Sequence, residues 1–160
     1  MKIKIGFGYD VHVLKEGEEL ILGGIKIEHY KGTIAHSDGD VLIHAICDAL
    51  LGAANLRDIG FQFPDNDQSL KGIDSKILLQ KTNNLLIDKG WKIGNIDSTI
   101  VLQKPKIKDK IPEMQQELSS VLNIDIDDIS IKATTTEKLG FNGKEEGISA
   151  YAAVLINKTN

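Results

Sequence analysis

From Gly147 to Asn157 the sequence reads "GISAYAAVLIN". In an extended chain, alternate side chains point to opposite faces. Ile148, Ala150, Ala152, Val154 and Ile156 then share one face, and Ser149, Tyr151, Ala153 and Leu155 share the other. Both faces are largely apolar, so the segment needs cover on two sides. The chain's own helices can supply one cover. In a chain of 160 residues, the size of one domain, the second falls to another subunit. The segment therefore predicts a well-covered strand and self-association.

The other elements are read around it. Ile3, Ile5, Phe7 and Tyr9 alternate with Lys2, Lys4, Gly6 and Gly8, the period of a strand. "ELILGGIKIE" places two short β-rich runs around Gly23 and Gly24, which suit the positive φ angles of a hairpin turn. Residues 28–39 read as a loop. A helix follows, with Ser37 as the expected N-cap and Asp40 three residues later, as in a capping box. Along it Leu42, Ile46 and Leu50 form an apolar row, flanked by the row Asp40, His44 and Asp48. "NLRDIGFQFPDNDQ" reads as irregular loop. Ser75 is the expected cap of a second helix, which runs to about Asp88 with Gly90 beyond its end. Trp91 to Leu102 reads as a strand that Pro105 ends. Pro112 suits the first turn of a third helix, with Ile111, Gln115, Leu118 and Leu122 along one side. Ile129 to Thr134 is a short strand, and Gly140 and Gly143 punctuate the loop after it. This order predicts an α+β fold: a mixed four-stranded sheet plus a β-hairpin, helices packed on one face, one domain over 1–160.

Bulk properties exclude several classes. A net charge of −4 leaves no broad basic surface, so nucleic acid is not the expected partner. The single cysteine, Cys47, forbids an intrachain disulfide framework and fits a reducing compartment. No apolar run reaches the length of a membrane span, and "MKIKIGFGYDVH" lacks a secretory cleavage site. The expectation is a cytoplasmic protein without a membrane partner.

The chemistry-bearing residues form small groups. If Asp10 and His12 continue the first strand, they point to one side, and His44 is a candidate third ligand from the helix. One carboxylate and two imidazoles with an open fourth position suit a catalytic zinc ion, with Asp40 or Asp48 holding the second nitrogen of a histidine. The same residues also fit a surface or structural role. His36, before Ser37, reads as a donor to a charged substrate at the helix N-terminus or as a solvated loop residue. Asp65 and Asp67 of "FPDND" fit either turn chemistry or a rim that binds hydroxyls. "KATTTEKLGFNGKEEG" sets Glu137 after three threonines, where a carboxylate can hold magnesium beside phosphates or the threonines merely favour a strand. "LQKPKIK" reads as a basic turn, solvated or in contact with a phosphate or base edge.

Taken together, "GYDVH", the hairpin "GG", "AHSDGDVLIHAICDALLGAA", "DIGFQFPDND", "QKPK" and "KATTTEKLGFNGKEEGI" resemble, in order and separation, the 2-C-methyl-D-erythritol 2,4-cyclodiphosphate synthase family. The resemblance runs from Lys2 to Ile156. It implies a lyase of the non-mevalonate isoprenoid pathway, whose cytidine diphosphate substrate carries a 2-phosphate that attacks the β-phosphorus and expels CMP. It implies zinc on Asp10, His12 and His44, and a second ion, magnesium or manganese, on Glu137. His36 and Thr135 match transition-state stabilisers. Val11, beside the ligands Asp10 and His12, and Ser37, Asp58, Ile59, Gly60, Phe63, Pro64, Asp65, Asn66 and Asp67 match the methylerythritol-phosphate pocket. Leu102, Gln103, Lys104, Pro105, Lys106, Ile107 and Lys108, with Thr134, Thr135, Thr136, Glu137, Phe141 and Lys144, match the cytidine and phosphate contacts. It further implies a homotrimer with each site between neighbouring subunits.

The chain departs from the family pattern at three positions. Lys144 stands where arginine is frequent and Tyr151 where glutamate is, both near a central channel able to hold an isoprenoid diphosphate; lysine lacks arginine's bidentate fork. Asn66 replaces a frequent threonine. Two rival readings are a zinc hydrolase of phosphate esters and a non-catalytic trimer in which zinc pins the fold.

Overall fold

The computed structural model describes residues 2–158. Met1, Thr159 and Asn160, within the expected 1–160 domain, lie outside the described residues. In chain order the elements are β1 (Ile3–Glu16), β2 (Leu20–Leu22), β3 (Ile25–Ile27), β4 (Lys31–Ile34), α1 (Val41–Ala53), α2 (Ile59–Gln62), α3 (Ser75–Asp88), β5 (Trp91–Val101), α4 (Ile111–Leu122), β6 (Ile129–Thr134), α5 (Gly140–Gly143) and β7 (Gly147–Lys158). One sheet has the order β4-β1-β7-β5-β6, and β2 and β3 form a separate hairpin. Among the described residues only the β5–β6 pair is parallel. The fold is α+β with a mixed sheet, as expected.

The sheet has five strands, not four. The extra one, β4, falls in the segment read as a loop. Its "KGTI" is too short to show alternation. It becomes a strand because β1 is longer than its partner β7: Ile3 to Val13 pair with β7, and Val13 to Glu16 pair with β4. Pairing with a distant segment, not local propensity, made this strand. Two further loop readings hide single turns of helix, α2 and α5, each four residues long.

β7 lies between β1 and β5. Its Ile148, Ala150, Ala152, Val154 and Ile156 are buried beneath the helices, as the alternation required. β1 has the opposite polarity from an ordinary half-buried strand. Ile3, Ile5, Phe7, Tyr9, Val11 and Val13 are exposed, while Gly6, Gly8, Asp10 and His12 face α1. The reason is space. A Cβ on Gly6 would lie 1.9 Å from the Ala49 carbonyl oxygen, and one on Gly8 would lie 2.0 Å from that of Ala45. The α1 backbone rests directly on β1, and only glycine permits that approach.

α1 is apolar almost all round, and it is buried by the sheet beneath and α3 beside it. Its N-cap is Asp40, not Ser37: the Asp40 carboxylate accepts from Ile43 N at 3.0 Å and from Gly24 N at 2.7 Å. The second bond ties the hairpin turn to the helix start and explains the shift. Gly23 and Gly24 have φ of 59° and 79°, the conformation the hairpin reading required. Likewise Asp74, not Ser75, caps α3, accepting from Lys76 N at 2.8 Å. α4 buries Met114, Leu118 and Leu122, and Gln115 donates to Ile129 O at 2.6 Å.

The glycine seat can be tested directly. Gly8→Ala should cost about 1–3 kcal/mol of stability, because the added methyl meets backbone rather than a yielding side chain. Chemical denaturation measures this. Wild-type stability would show that α1 does not depend on the contact.

Candidate active site

Asp10 and His12 lie two residues apart on β1, on the face under α1. His44 ends the first turn of α1, next to the Ala45 carbonyl that rests over Gly8. The glycine seat thus brings the helix histidine to the strand. Asp10 Oδ2 is 3.0 Å from His12 Nε2 and 3.0 Å from His44 Nδ1, and the two nitrogens are 3.1 Å apart. A tetrahedral zinc ion with bonds of about 2.0–2.1 Å spreads its ligand atoms about 3.3 Å apart. The triangle need open only slightly to take such an ion, so the donor set fits. Among the described residues the cluster has three members, Asp10, His12 and His44, and all three line a cavity of about 330 Å³. Three protein donors with an open side is the arrangement of a catalytic metal site.

Burial works to raise the Asp10 carboxyl, but hydrogen bonds from His12 and His44 and their charge hold it well below the usual carboxylate range. For His44 burial opposes the charged ring, yet the Asp10 hydrogen bond and charge prevail and raise its pKa. Cys47 is fully buried, which pushes its thiol up to about 12 and leaves no thiolate for nucleophilic chemistry.

The second nitrogen of His44 is held by neither Asp40 nor Asp48. Asp40 is committed to Gly24 and Ile43, and Asp48 accepts from Ile59 N at 3.1 Å. Instead His44 Nε2 lies 3.0 Å from Ser37 Oγ and 3.0 Å from Ser75 Oγ. Ser75 in turn donates through Oγ to Asp38 Oδ1, and through its backbone N at 2.9 Å to Asp38 Oδ2. Sequence reasoning missed Asp38 and the hydroxyl of Ser75. Ser75 carried the signature of a helix cap, and its distance from His44 in the chain gave no link.

The remaining expected residues divide between two cavities. His36, Ser37, Ile59, Gly60, Phe63 and Asp65 line the first, with Leu70, Ile73 and Leu78 as apolar wall. His36 Nε2 donates to the Asp67 carbonyl at 3.1 Å. The Asp67 side chain accepts from Ser69 N at 2.9 Å and Ser69 Oγ at 2.7 Å, so it serves the turn, while Asp65 faces the cavity. Asp58 precedes α2 as its cap residue; Pro64 and Asn66 flank Asp65 in the loop. Val11 is on the opposite face of β1 from Asp10 and His12.

A second cavity, about 320 Å³, is lined by Leu102, Gln103, Pro105, Lys106, Ile107, Lys108, Thr134 and Thr135. Beside it Glu137 and Lys138 have left-handed φ of 52° and 66°; Glu137 N donates to Thr135 Oγ1 at 3.3 Å and Lys138 N to Gln103 Oε1 at 3.2 Å. Thr136 Oγ1 donates to Leu139 O at 2.6 Å. Lys104 pairs with Glu145, Phe141 packs over Gly147, and Lys144 is exposed. Within one chain the two cavities share no lining residue, and Glu137 is not part of the Asp10–His12–His44 cluster.

The sequence and the fold have counterparts among known proteins. The chain is 69% identical, over 99% of both sequences, to the 2-C-methyl-D-erythritol 2,4-cyclodiphosphate synthase of Bacteroides fragilis. It superposes with a TM-score of 0.96 and 42% identity on the bifunctional IspDF of Campylobacter jejuni, with 99% of this chain covering 43% of that longer one. It matches IspF of Plasmodium falciparum in its CDP complex with a TM-score of 0.87 and 40% identity, over 99% of this chain and 97% of that one. The YgbB family model matches residues 3–157. The chain belongs to the YgbB family, alongside the 2-C-methyl-D-erythritol 2,4-cyclodiphosphate synthases.

Proposed function

We propose that this protein is a metal-dependent lyase that converts 4-diphosphocytidyl-2-C-methyl-D-erythritol 2-phosphate into 2-C-methyl-D-erythritol 2,4-cyclodiphosphate and CMP in the non-mevalonate route. The observation that carries this is the convergence of Asp10, His12 and His44 at the wall of a cavity, in a chain whose relatives bear that name. An oxygen of the 2-phosphate bonds to the β-phosphorus. The bond from that phosphorus to the CMP oxygen breaks, and CMP leaves with the electron pair. The nucleophile is an ionised phosphate, so no serine or cysteine nucleophile is needed and a general base adds little.

The protein's task is to align two anions and offset their repulsion. Zinc on Asp10, His12 and His44, and magnesium or manganese on Glu137 with phosphate oxygens completing its shell, would supply Lewis acidity toward the phosphates. Asp65, Ile59, Gly60 and Ser37 line the space where a methylerythritol phosphate fits. Thr135 accepts from Glu137 N–H, so its own hydroxyl proton is available to a phosphoryl oxygen. His36 is held against the cavity by its bond to Asp67. Backbone groups and lysines of Leu102 to Lys108 frame the pyrimidine and its phosphates, with Phe141 and Lys144 beside them.

The complete site is assembled between subunits of a homotrimer, and the chain acts as one domain. Two features support this. The metal-ligand cavity and the Leu102–Thr135 cavity are separate within one chain. The open sheet face carries Ile5, Phe7, Tyr9, Val11 and Tyr151, exposed large apolar residues side by side on paired strands, the kind of contiguous patch that marks an association surface. No helix among the described residues is long and apolar enough to cross a membrane. We place the enzyme in the cytoplasm.

Phosphorus NMR of the protein with substrate, zinc and magnesium should show the linear diphosphate replaced by a cyclic diphosphate and CMP. Inorganic phosphate or a linear product would favour the hydrolase reading. Phe7→Asp should convert trimer to monomer in sedimentation and lower turnover at least about 100-fold, a loss of the size expected when reacting groups no longer meet. One bound zinc per chain should remain, and an intact trimer would place the interface elsewhere. Metal binding should also depend on pH. His44 must lose its proton to bind, and its pKa is raised above 6.5, so zinc affinity should begin to fall on acidification while the pH is still above 6.5. The apoprotein should behave oppositely. The stabilisation from charged His44 is fully present below pH 6.5 and is lost as pH rises through the raised value. Chelator competition and thermal unfolding across pH separate the two, and an affinity flat through the whole acidic range would remove both imidazoles from the ligand set.

A further inference from the structure

Ser75 is fully buried at the first position of α3, yet its hydroxyl does not cap that helix, because Asp74 already does. The hydroxyl sits between two other groups. It donates its proton to Asp38 Oδ1, and its oxygen lies 3.0 Å from His44 Nε2. A serine hydroxyl has one proton, so with that proton on Asp38 the oxygen can only accept from His44. Asp38 is locked in turn: its other carboxylate oxygen takes Ser75 N–H at 2.9 Å, and its own N–H donates to Ile73 O at 3.0 Å.

We propose that Asp38 and Ser75 are positioning residues for His44, a directed chain of hydrogen bonds from carboxylate to hydroxyl to imidazole that fixes the ring as its Nε2–H tautomer. The proposal rests on the reading of Asp10, His12 and His44 as metal ligands. With Nε2 protonated, the Nδ1 proton given to Asp10 is the one a bound ion would displace, leaving the Nδ1 lone pair as the ligand. In the other tautomer the Nε2 lone pair would face the Ser75 oxygen with no proton between them, and Nδ1 would point a proton at the ion. The outer partner of a metal-bound histidine commonly sets its tautomer and orientation in this way.

The chain also divides the work of two serines. Ser37 Oγ lies equally close to His44 Nε2 and accepts from Gly39 N at 3.2 Å, but its proton is not committed to a carboxylate, and it lines the cavity. Ser75 holds the ligand, which leaves the Ser37 hydroxyl able to turn toward a bound phosphate.

The test is zinc affinity, measured on the folded protein by chelator competition, with cobalt as a spectroscopic probe of ligand geometry. Ser75→Ala should bind zinc about 10–100-fold more weakly and alter the cobalt absorption bands. Ser75→Thr, which keeps the hydroxyl, should recover much of the loss. Asp38→Ala should also weaken binding, because without its carboxylate acceptor the Ser75 hydroxyl can turn its proton toward His44, which favours the wrong tautomer. If Ser75 and Asp38 only tie α3 to the segment before α1, the apoprotein will melt earlier while zinc affinity and cobalt bands stay at wild-type values, which overturns the proposal. Should Ser75→Ala not fold, Asp38→Ala decides: unchanged affinity overturns the proposal and a weakened one supports it. A wild-type protein that binds no zinc would instead overturn the metal-centre reading itself.

Discussion

The contact on which the rest depends is the seating of α1 on Gly6 and Gly8 of β1. A helix ordinarily packs on a sheet through side chains, which hold the two backbones well apart. Here the Ala45 and Ala49 carbonyls occupy the space where side chains of β1 would stand. The helix can therefore deliver His44 to hydrogen-bond distance of Asp10, two residues beyond Gly8 on the same strand face. With larger residues at those glycines, strand and helix would each keep their ligands, and the ligands would not meet.

The same seating accounts for the open face of the sheet. Because glycine and polar ligands occupy the inner side of β1, its large apolar residues stand on the outer side. Phe7, Tyr9 and Tyr151 cluster there, with Tyr9 and Tyr151 ring centroids 5.0 Å apart. Burial of such a patch is worth roughly 25 cal/mol per Å² removed from water, a strong drive toward association. The design that makes a metal pocket on one side of the strand thus leaves a sticky surface on the other, and the assembly proposed above uses both.

The acidic residues around the ligands have different partners. Asp40 closes the start of α1 and the hairpin turn, and burial pushes its carboxyl up to about 6. Asp48 holds the entry to α2, and Asp67 holds its own turn. These acidic residues looked interchangeable along the chain. Their partners separate those that shape the cavity from those that face it.

The alternation of β7, the glycine turn of the hairpin, the second and third helices and the spacing of Asp10 and His12 were legible in the sequence, because each is a local rule of period or backbone freedom. Family motifs extended that reading to His44. The fifth strand, the shift of both helix caps by a residue or more, and the acceptor of His44 Nε2 were not legible. Each is settled by groups far apart in the chain: β4 by the overhang of β1, Asp40 by Gly24, and His44 by Ser75 and, behind it, Asp38. By itself the sequence determined which residues have ligand chemistry and which face of each strand they share, since covalent spacing fixes both. Only the tertiary structure decided which of them meet and which hydroxyl holds which ring. A hydrogen bond reaches about 3 Å, and whether two groups come that close depends on how helix and sheet pack.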